Sequence, residues 1–225
     1  GLIGVNAHAV RLATRGHPAL PSRVIPQVGV NLPLAPRHPT GGGLVIGFFG
    51  RLIPEKGLDL LFRACVKLLG RWSIIVVGTG PAQEELEGLA ERLGIAGRVT
   101  WLGALPRDGV AAVWPRLDCV AMPSRTAPHW VEVTPRAALE AMAHGLPVVA
   151  TASGALPELV GGGGTIVAEE DVSALTAGLQ SFHDDPEQRA RLGGAGRRRI
   201  MDDFTDSAIA EKTLAFWREA THASS

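Results

Sequence analysis

The chain has 225 residues, of which 46% are hydrophobic and 20% charged, a composition typical of a globular protein with its own core. Its 22 basic and 22 acidic residues cancel, which argues against a dedicated nucleic-acid-binding protein. No apolar run approaches the roughly 20 residues of a membrane-spanning helix, and the first residues do not form a secretory signal. Both cysteines, Cys65 and Cys119, have apolar neighbours. We interpret them as buried thiols in a reducing, cytoplasmic compartment.

From Leu44 onward, apolar runs of strand length alternate with stretches of helical periodicity. In chain order, strands are predicted at Leu44–Phe49, Trp72–Val77, Val99–Leu102, Leu117–Met122, Pro147–Ala150 and Thr165–Val167. Helices are predicted between and after them, at Leu58–Leu69, Gln83–Leu93, Asp108–Trp114, Pro135–Ala143, Val172–Phe182, Pro186–Ile200 and Asp206–Thr221. This alternation indicates a doubly wound, Rossmann-like α/β fold, in which a parallel six-stranded sheet carries helices on both faces. Ligands of such sheets bind at the carboxyl ends of the strands.

Residues 1–43 have a different character. They are rich in proline and glycine, and their apolar stretches, such as Leu2–Val5 and Val24–Ile25, are short. We expect a linker with one or two short strands. Because the chain opens in the middle of a pattern, we also expect a partner domain that was removed or is supplied separately.

Several familiar site motifs are absent from the sequence. It contains no Gly-x-Gly-x-x-Gly, no Walker loop, no His-Glu-x-x-His, no Asp-x-Asp and no Gly-x-Ser-x-Gly. The seven histidines are scattered without the spacing of metal ligands. No metal site is therefore predicted.

Two cations follow the first predicted strand. The segment Gly50–Gly57 contains Arg51 and Lys56 with a turn between them, at the sheet edge where ligands bind. Arginine offers a planar fork of donors and lysine a mobile point charge, so the pair suits a diphosphate. The alternative is a polar loop with two solvated charges, in which Glu55 pairs with Lys56.

Two carboxylates, Glu132 and Glu140, flank a predicted helix start eight residues apart, with Thr134 as N-cap and Pro135 as the first helical residue. On this placement both can face one cleft and accept hydrogen bonds from the hydroxyls of a sugar and of a ribose. The free N–H groups of the helix start would meet the phosphates between them. The alternative is an exposed acid followed by an ordinary helical glutamate.

A third segment joins a helix, a buried strand and a glycine turn: Glu140-Ala-Met-Ala-His-Gly-Leu-Pro-Val-Val-Ala150, followed by Ser153–Glu158. With Arg51, Lys56 and the two glutamates, it resembles the nucleotide-sugar-binding half of a GT-B glycosyltransferase of the retaining family 4 (glycosyl transferases group 1). The resemblance runs from about residue 21 to the C-terminus and is most specific over residues 123–158. It implies a donor-binding domain over residues 44–225, joined by residues 1–43 to a missing N-terminal acceptor domain.

The resemblance also implies residue roles. Arg51 and Lys56 match the cations that hold the donor diphosphate. Glu132 matches the first acid of the E-x7-E motif, which contacts the transferred sugar, and Glu140 matches the second, which holds the ribose. The implied catalytic residues are Arg51, Lys56 and Glu132. The implied donor-binding residues are Gly50, Arg51, Lys56, Glu132, Val133, Thr134 and Glu140.

Five residues require separate expectations. The family pattern has Phe-Gly where this chain has Thr134-Pro135, and proline removes one N–H group, so the donor is expected to lose a hydrogen bond or to bind in a shifted pose. Trp130 is expected in the core, with stacking on a sugar or the acceptor as the alternative. His144 is expected to cap a helix rather than to catalyse, and Asp118 to be a turn residue.

The implied reaction is that of a hexosyltransferase: transfer of a sugar from a nucleotide diphosphate sugar to the hydroxyl of a sugar or polyol acceptor, with retention and without a metal or other cofactor. UDP is the commonest donor nucleotide of the family, and GDP and ADP also occur. The missing domain would bind the acceptor and make any peripheral membrane contact, so the isolated chain is expected to be inactive. Two alternatives stay open: a nucleotide-binding module without catalysis and a GT-B sugar-nucleotide epimerase.

Overall fold

Strands and helices alternate along most of the chain in the computed structural model, which describes residues 1–17, 19–30, 32 and 42–222. The strands are β1 Leu2–Gly4, β2 Ser22–Val24, β3 Leu44–Phe49, β4 Trp72–Val77, β5 Val99–Trp101, β6 Cys119–Met122, β7 Val148–Thr151 and β8 Gly164–Val167. The α-helices are α1 Ala7–Ala13, α2 Leu58–Cys65, α3 Gln83–Arg92, α4 Arg107–Ala111, α5 Arg136–Ala143, α6 Leu156–Val160, α7 Val172–Asp184, α8 Pro186–Asp203 and α9 Asp206–His222.

Strands β3 to β8 form one parallel sheet in the order β5-β4-β3-β6-β7-β8. The chain builds outward from β3 to β5 and then returns to the centre at β6. In a doubly wound sheet such a reversal is the topological switch point, where the loops that follow the two central strands diverge and leave a crevice. The predicted fold is confirmed, with each predicted strand displaced by at most two residues.

The sheet separates two hydrophobic cores, because successive strand residues point to opposite faces. In β3, Ile46 and Phe48 enter the core covered by α2, α3 and α7, whereas Phe49 enters the core covered by α5, α6 and α8. Both faces of the sheet are therefore covered by helices.

The two cysteines lie inside this packing. Cys65 and Cys119 are both buried thiols, as the sequence predicted. Burial raises the pKa of the Cys65 thiol, because the apolar surroundings disfavour the thiolate. Cys65 is therefore a structural residue rather than a reactive one.

The N-terminal residues form a small unit of their own. The parallel strands β1 and β2 confirm the predicted short strands, but they are joined by α1, which was not predicted. Asn6 caps this helix by accepting a hydrogen bond from Ala9 N at 2.8 Å. Most of residues 31–41, part of the predicted linker, lie outside the described residues.

Helix α9 packs along the N-terminal unit, where Arg23 pairs with Glu219 at 2.6 Å and the buried Phe216 lies against Gly1. Across the described part of the chain, none of the helices combines the length and apolar character needed to span a bilayer.

Candidate functional site

An ion pair spans the switch point of the sheet. The ammonium of Lys56, which follows β3, lies 2.8 Å from Glu132 Oε2 and 3.1 Å from Oε1, and Glu132 follows β6. The side chain of Glu132 is 6% exposed and that of Lys56 17%. Two of the residues predicted to meet at this edge are therefore in direct contact. The predicted alternative, in which Glu55 pairs with Lys56, is wrong.

Ser124 completes the environment of Glu132. It is buried at the start of the loop that follows β6, and its hydroxyl donates to Glu132 Oε2 at 2.9 Å. A buried carboxylate needs such partners, because it has left its hydration shell. The lysine ammonium has three N–H groups, and Glu132 occupies at most two of them, so Lys56 keeps a donor for a ligand.

Close backbone approaches hold these loops in place. Gly57 has φ +68°, and a Cβ atom there would lie 1.9 Å from the carbonyl oxygen of Pro123, in the loop after β6. Gly154 has φ +53°, and a Cβ atom there would lie 2.1 Å from the carbonyl oxygen of Glu132, which accepts a hydrogen bond from Ala155 N at 2.8 Å. Only glycine fits both positions. The backbone on each side of the ion pair is thus fixed.

Arg51 and Gly50 lie at the start of the same loop. Arg51 is exposed, and it has no ion pair with any residue in the described ranges. Gly50 has φ +154°, and the Lys56 side chain lies 3.5 Å from where its Cβ atom would be. Both residues stay candidates for the donor site.

Arg125 is the centre of a polar network beside the Lys56 turn, which the sequence did not predict. Arg125 forms a bidentate pair with Asp59, at 2.7 and 2.6 Å, and donates to the carbonyl oxygen of Pro54 at 2.6 Å and to Glu170. The hydrogen bond with Asp59 raises the pKa of Arg125, which keeps the guanidinium charged. No motif or spacing points to this arginine, because its partners lie in two distant segments, the one that follows β3 and the one that follows β8.

A cavity of about 960 Å³ opens beside Glu132, and we refer to it as the Trp130 cavity. Its walls are the loop from Thr126 to Val133, the start of α6 and the segment of α1 from Asn6 to Leu12. Trp130 is half-buried and its ring centroid lies 5.2 Å from Lys56 Nζ, within cation–π range. The expectation that Trp130 belongs to the core is therefore wrong, because the ring covers the ion pair and faces the cavity.

Glu140 lines a different cavity, of about 680 Å³, which we refer to as the Glu140 cavity. Its carboxylate is 28% exposed and accepts a 2.7 Å hydrogen bond from Arg136, one turn earlier on α5. The cavity continues between α4 and α5 past Arg107 and Trp114. The structure therefore places the two glutamates in separate cavities and does not bring them into a single one.

The start of α5 differs from its prediction. The N-cap position is occupied by Pro135, with no side-chain hydrogen bond, and the helix begins at Arg136. Thr134 is exposed and does not cap the helix, and Val133 is 46% exposed. Proline at this position leaves one N–H group fewer at the helix start. Val133 and Thr134 therefore lie beside the site, with exposed side chains that the site does not fix in place.

Two residues have the structural roles that were expected. His144 is the C-cap of α5, and its ring stacks on that of Trp114 with centroids 5.4 Å apart. Asp118 is buried at the residue before β6, where its carboxylate accepts a hydrogen bond from Val45 N at 2.8 Å. Asp118 therefore ties the start of β6 to β3 and stays away from the ligand edge.

His144 predicts a pH dependence of stability. Burial lowers the pKa of His144 below its ordinary 6.5; the charge of Glu140 opposes this shift and that of Arg197 adds to it. Between the folded pKa and 6.5 the unfolded chain binds more protons, so stability falls as the pH falls through this window. We expect His144→Gln to remove this loss of stability on acidification. The contribution of one histidine to the free energy of unfolding cannot change by more than about 1.4 kcal/mol per pH unit.

Urea unfolding of the parent and of this variant between about pH 7.5 and pH 5 measures the effect. His17→Gln is the control, because His17 is exposed. Equal pH dependence in the parent and in His144→Gln would contradict the assignment.

Comparisons with known proteins agree with this fold. The family model for Glycosyl transferases group 1 matches residues 36–199. A GDP-mannose-dependent alpha-(1-6)-phosphatidylinositol monomannoside mannosyltransferase from Mycolicibacterium smegmatis is 35% identical over 211 residues, which cover 89% of this chain and 55% of that protein. A 2-deoxystreptamine glucosyltransferase from Streptomyces kanamyceticus is 35% identical over 184 residues, which cover 80% and 46%.

Solved structures agree as well. The Anabaena protein HepE in complex with UDP matches with a TM-score of 0.82 and 25% identity, over 96% of this chain and 63% of that one. This chain spans about half the length of the curated relatives it matches. Because the family model matches most of its length and its sheet is Rossmann-like, the chain belongs to the glycosyl transferases group 1 family.

Proposed function

We propose that this chain is the donor-binding half of a retaining glycosyltransferase, which takes a sugar from a nucleotide diphosphate sugar without the help of a metal ion. In this proposal Arg51 and Lys56 hold the diphosphate, Glu132 orients the transferred sugar, and Glu140 accepts hydrogen bonds from the ribose. Gly50, Val133 and Thr134 supply backbone contacts with the donor. Relatives that use GDP-mannose and a neighbour in complex with UDP support the substrate class.

The observation that carries the proposal is the ion pair of Lys56 and Glu132 at the switch point. A buried ion pair is a poor stabilising device, because desolvation offsets much of its attraction. Its position at the ligand edge of the sheet, covered by Trp130 and open to a large cavity, instead favours a binding role.

The chemistry follows from where charge develops. As the glycosidic bond breaks, negative charge builds on the leaving diphosphate, and fixed cations stabilise it most strongly where water is excluded. Lys56 keeps a free N–H group for that oxygen, and the exposed Arg51 can close over the other phosphate. Glu132 is held by Lys56 and Ser124, which suits a residue that orients a sugar rather than one that attacks it.

The nucleoside would extend towards the Glu140 cavity. The partner of Glu140 in the free chain is Arg136, whose side chain is 57% exposed, and exposed ion pairs contribute little. Ribose hydroxyls can therefore displace this arginine at small cost. The donor would cross the start of α5, where the positive end of the helix dipole would favour its phosphates.

The acceptor side would come from the remainder of a longer protein, since relatives are about twice as long. The wall that α1 contributes to the Trp130 cavity would belong to that side. We therefore expect this chain to bind the donor but to transfer no sugar. The acceptor would be a sugar or polyol, with any membrane contact made by the missing domain.

Isothermal titration of the chain with UDP-glucose, GDP-mannose and ADP-glucose tests the proposal. One of the three is expected to bind, and Glu140→Ala is expected to weaken it about tenfold through the loss of hydrogen bonds with the ribose. Glu91→Ala, at an exposed position of α3, is the control. The proposal fails if none of the three binds or if the Glu140 variant binds as the parent does.

A further inference from the structure

Arg125 contacts the Lys56 turn at three points. Its backbone N–H donates to the carbonyl oxygen of Glu55 at 2.7 Å, and its guanidinium donates to that of Pro54 at 2.6 Å. The same guanidinium forms a bidentate pair with Asp59, three residues beyond Lys56. The Arg125 side chain therefore bonds to residues on both sides of Lys56. The turn between those residues carries the Lys56 ammonium.

The residue before Arg125 holds the other half of the ion pair. Ser124 donates to Glu132 Oε2, and its own carbonyl oxygen accepts a hydrogen bond from the Thr151 hydroxyl on β7. The dipeptide Ser124-Arg125 therefore fixes both partners. Its serine orients the carboxylate, and its arginine sets the turn that carries the ammonium.

Arg125 has little left to offer a ligand directly. Four of its five N–H groups are engaged by Asp59, Pro54 and Glu170, and the two carboxylates neutralise its charge. Its side chain is 19% exposed. Because its hydrogen-bond donors are occupied, Arg125 acts on a bound anion through the residues that it positions and not through its own charge.

We propose that Arg125 is a positioning residue of the donor site, which fixes the Lys56 ammonium against Glu132 so that its free N–H group meets the donor diphosphate. This inference rests on the proposed function. A contact that orients a ligand loses much of its effect when it is displaced by about an ångström. Arg125→Gln is therefore expected to weaken donor binding about tenfold, although Arg125 itself does not contact the donor.

A double-mutant cycle separates positioning from a general structural role. Binding of UDP-glucose and GDP-mannose is titrated for the parent, Arg125→Gln, Lys56→Met and the double variant. If Arg125 acts through Lys56, the double variant binds no more weakly than Lys56→Met alone. Additive losses would overturn the proposal. Arg189→Gln, which removes a guanidinium that donates to the carbonyl oxygen of Phe182, is the control and should bind as the parent does.

A measurement without ligand makes the test independent of the proposed function. In ¹⁵N-lysine-labelled chain, the Lys56 ammonium should give a signal protected from solvent exchange, identified by its loss in Lys56→Met among the three lysines of the sequence. Arg125→Gln is expected to abolish this protection. A protected Lys56 signal in Arg125→Gln overturns the positioning role. If neither nucleotide sugar binds the parent, the proposed function fails. The role of Arg125 in a donor site then fails too. This holds even if Arg125→Gln abolishes the protection and so shows that Arg125 fixes Lys56.

Discussion

Replacing Lys56 by methionine is expected to lower the free energy of unfolding by about 3 kcal/mol and to weaken binding of the nucleotide sugar at least about thirtyfold. The first effect arises because Glu132, with a side chain 6% exposed, would lose its cation and stay buried with Ser124 as its partner. The second arises because the diphosphate would lose a charged donor. Denaturant unfolding and calorimetric titration measure the two effects separately.

Two further variants distinguish the causes. In Lys56→Met/Glu132→Gln the uncompensated charge is gone, so most of the stability should return while binding stays weak. Lys67→Met, at an exposed position at the end of α2, should change neither quantity. Parental stability and affinity in Lys56→Met would contradict the account.

Gly57→Ala is expected to destabilise the fold by about 4 kcal/mol, near the upper end for a single substitution. Left-handed backbone costs alanine about 1–2 kcal/mol. The larger part arises because the new Cβ atom would lie 1.9 Å from the carbonyl oxygen of Pro123, a backbone atom that cannot rotate away. Moving either loop would also separate Lys56 from Glu132, so donor binding should be lost with stability.

Gly94→Ala is a matched control for the backbone cost. Gly94 also has φ +68°, but a Cβ atom there would have no neighbour within 4 Å among the described residues. The difference between the two variants, in thermal or urea unfolding, therefore measures the close approach of the loops alone. Equal destabilisation by the two substitutions would show that the contact between Gly57 and Pro123 contributes nothing.

The fold could be predicted from sequence because its signals are local. β3 and β4 are largely apolar runs, each followed by a glycine, and such runs separated by helical periodicity leave few topologies other than a parallel sheet. The helix α1 was missed although its signal is present: Asn6 precedes Ala7, Val10 and Ala13 at helical spacing. Short length and nearby glycines made that segment resemble a loop.

Helix α2 shows a limit of periodicity. The apolar pattern predicts a helix to Leu69, but the α-helix ends at Cys65 and Leu69 is 75% exposed. Bonds of the i to i−3 kind, from Lys67 N and Leu68 N, tighten the last turn. The backbone N–H of Leu69 then bonds to Gln180 on α7. That partner lies more than a hundred residues away and leaves no trace in the local pattern.

The residues of the site also differ in whether their positions could be predicted from sequence. Lys56 and Glu132 could be predicted as neighbours, because each follows a central strand and parallel strands end at one edge. The roles of Ser124 and Arg125 could not, since they depend on where the loops after β3, β6 and β8 meet. The separation of Glu132 from Glu140 also escaped the sequence. It depends on how α5 packs beside α4, because residues of both helices line the cavity that contains Glu140.

A crystal structure of this chain with UDP or GDP, whichever binds it, tests the central claim most directly. We expect the diphosphate to accept a hydrogen bond from the Lys56 ammonium, with that ammonium still paired with Glu132, and the ribose hydroxyls to lie at the Glu140 carboxylate. A nucleotide bound away from the switch point, with the Lys56–Glu132 pair out of its reach, would contradict the account.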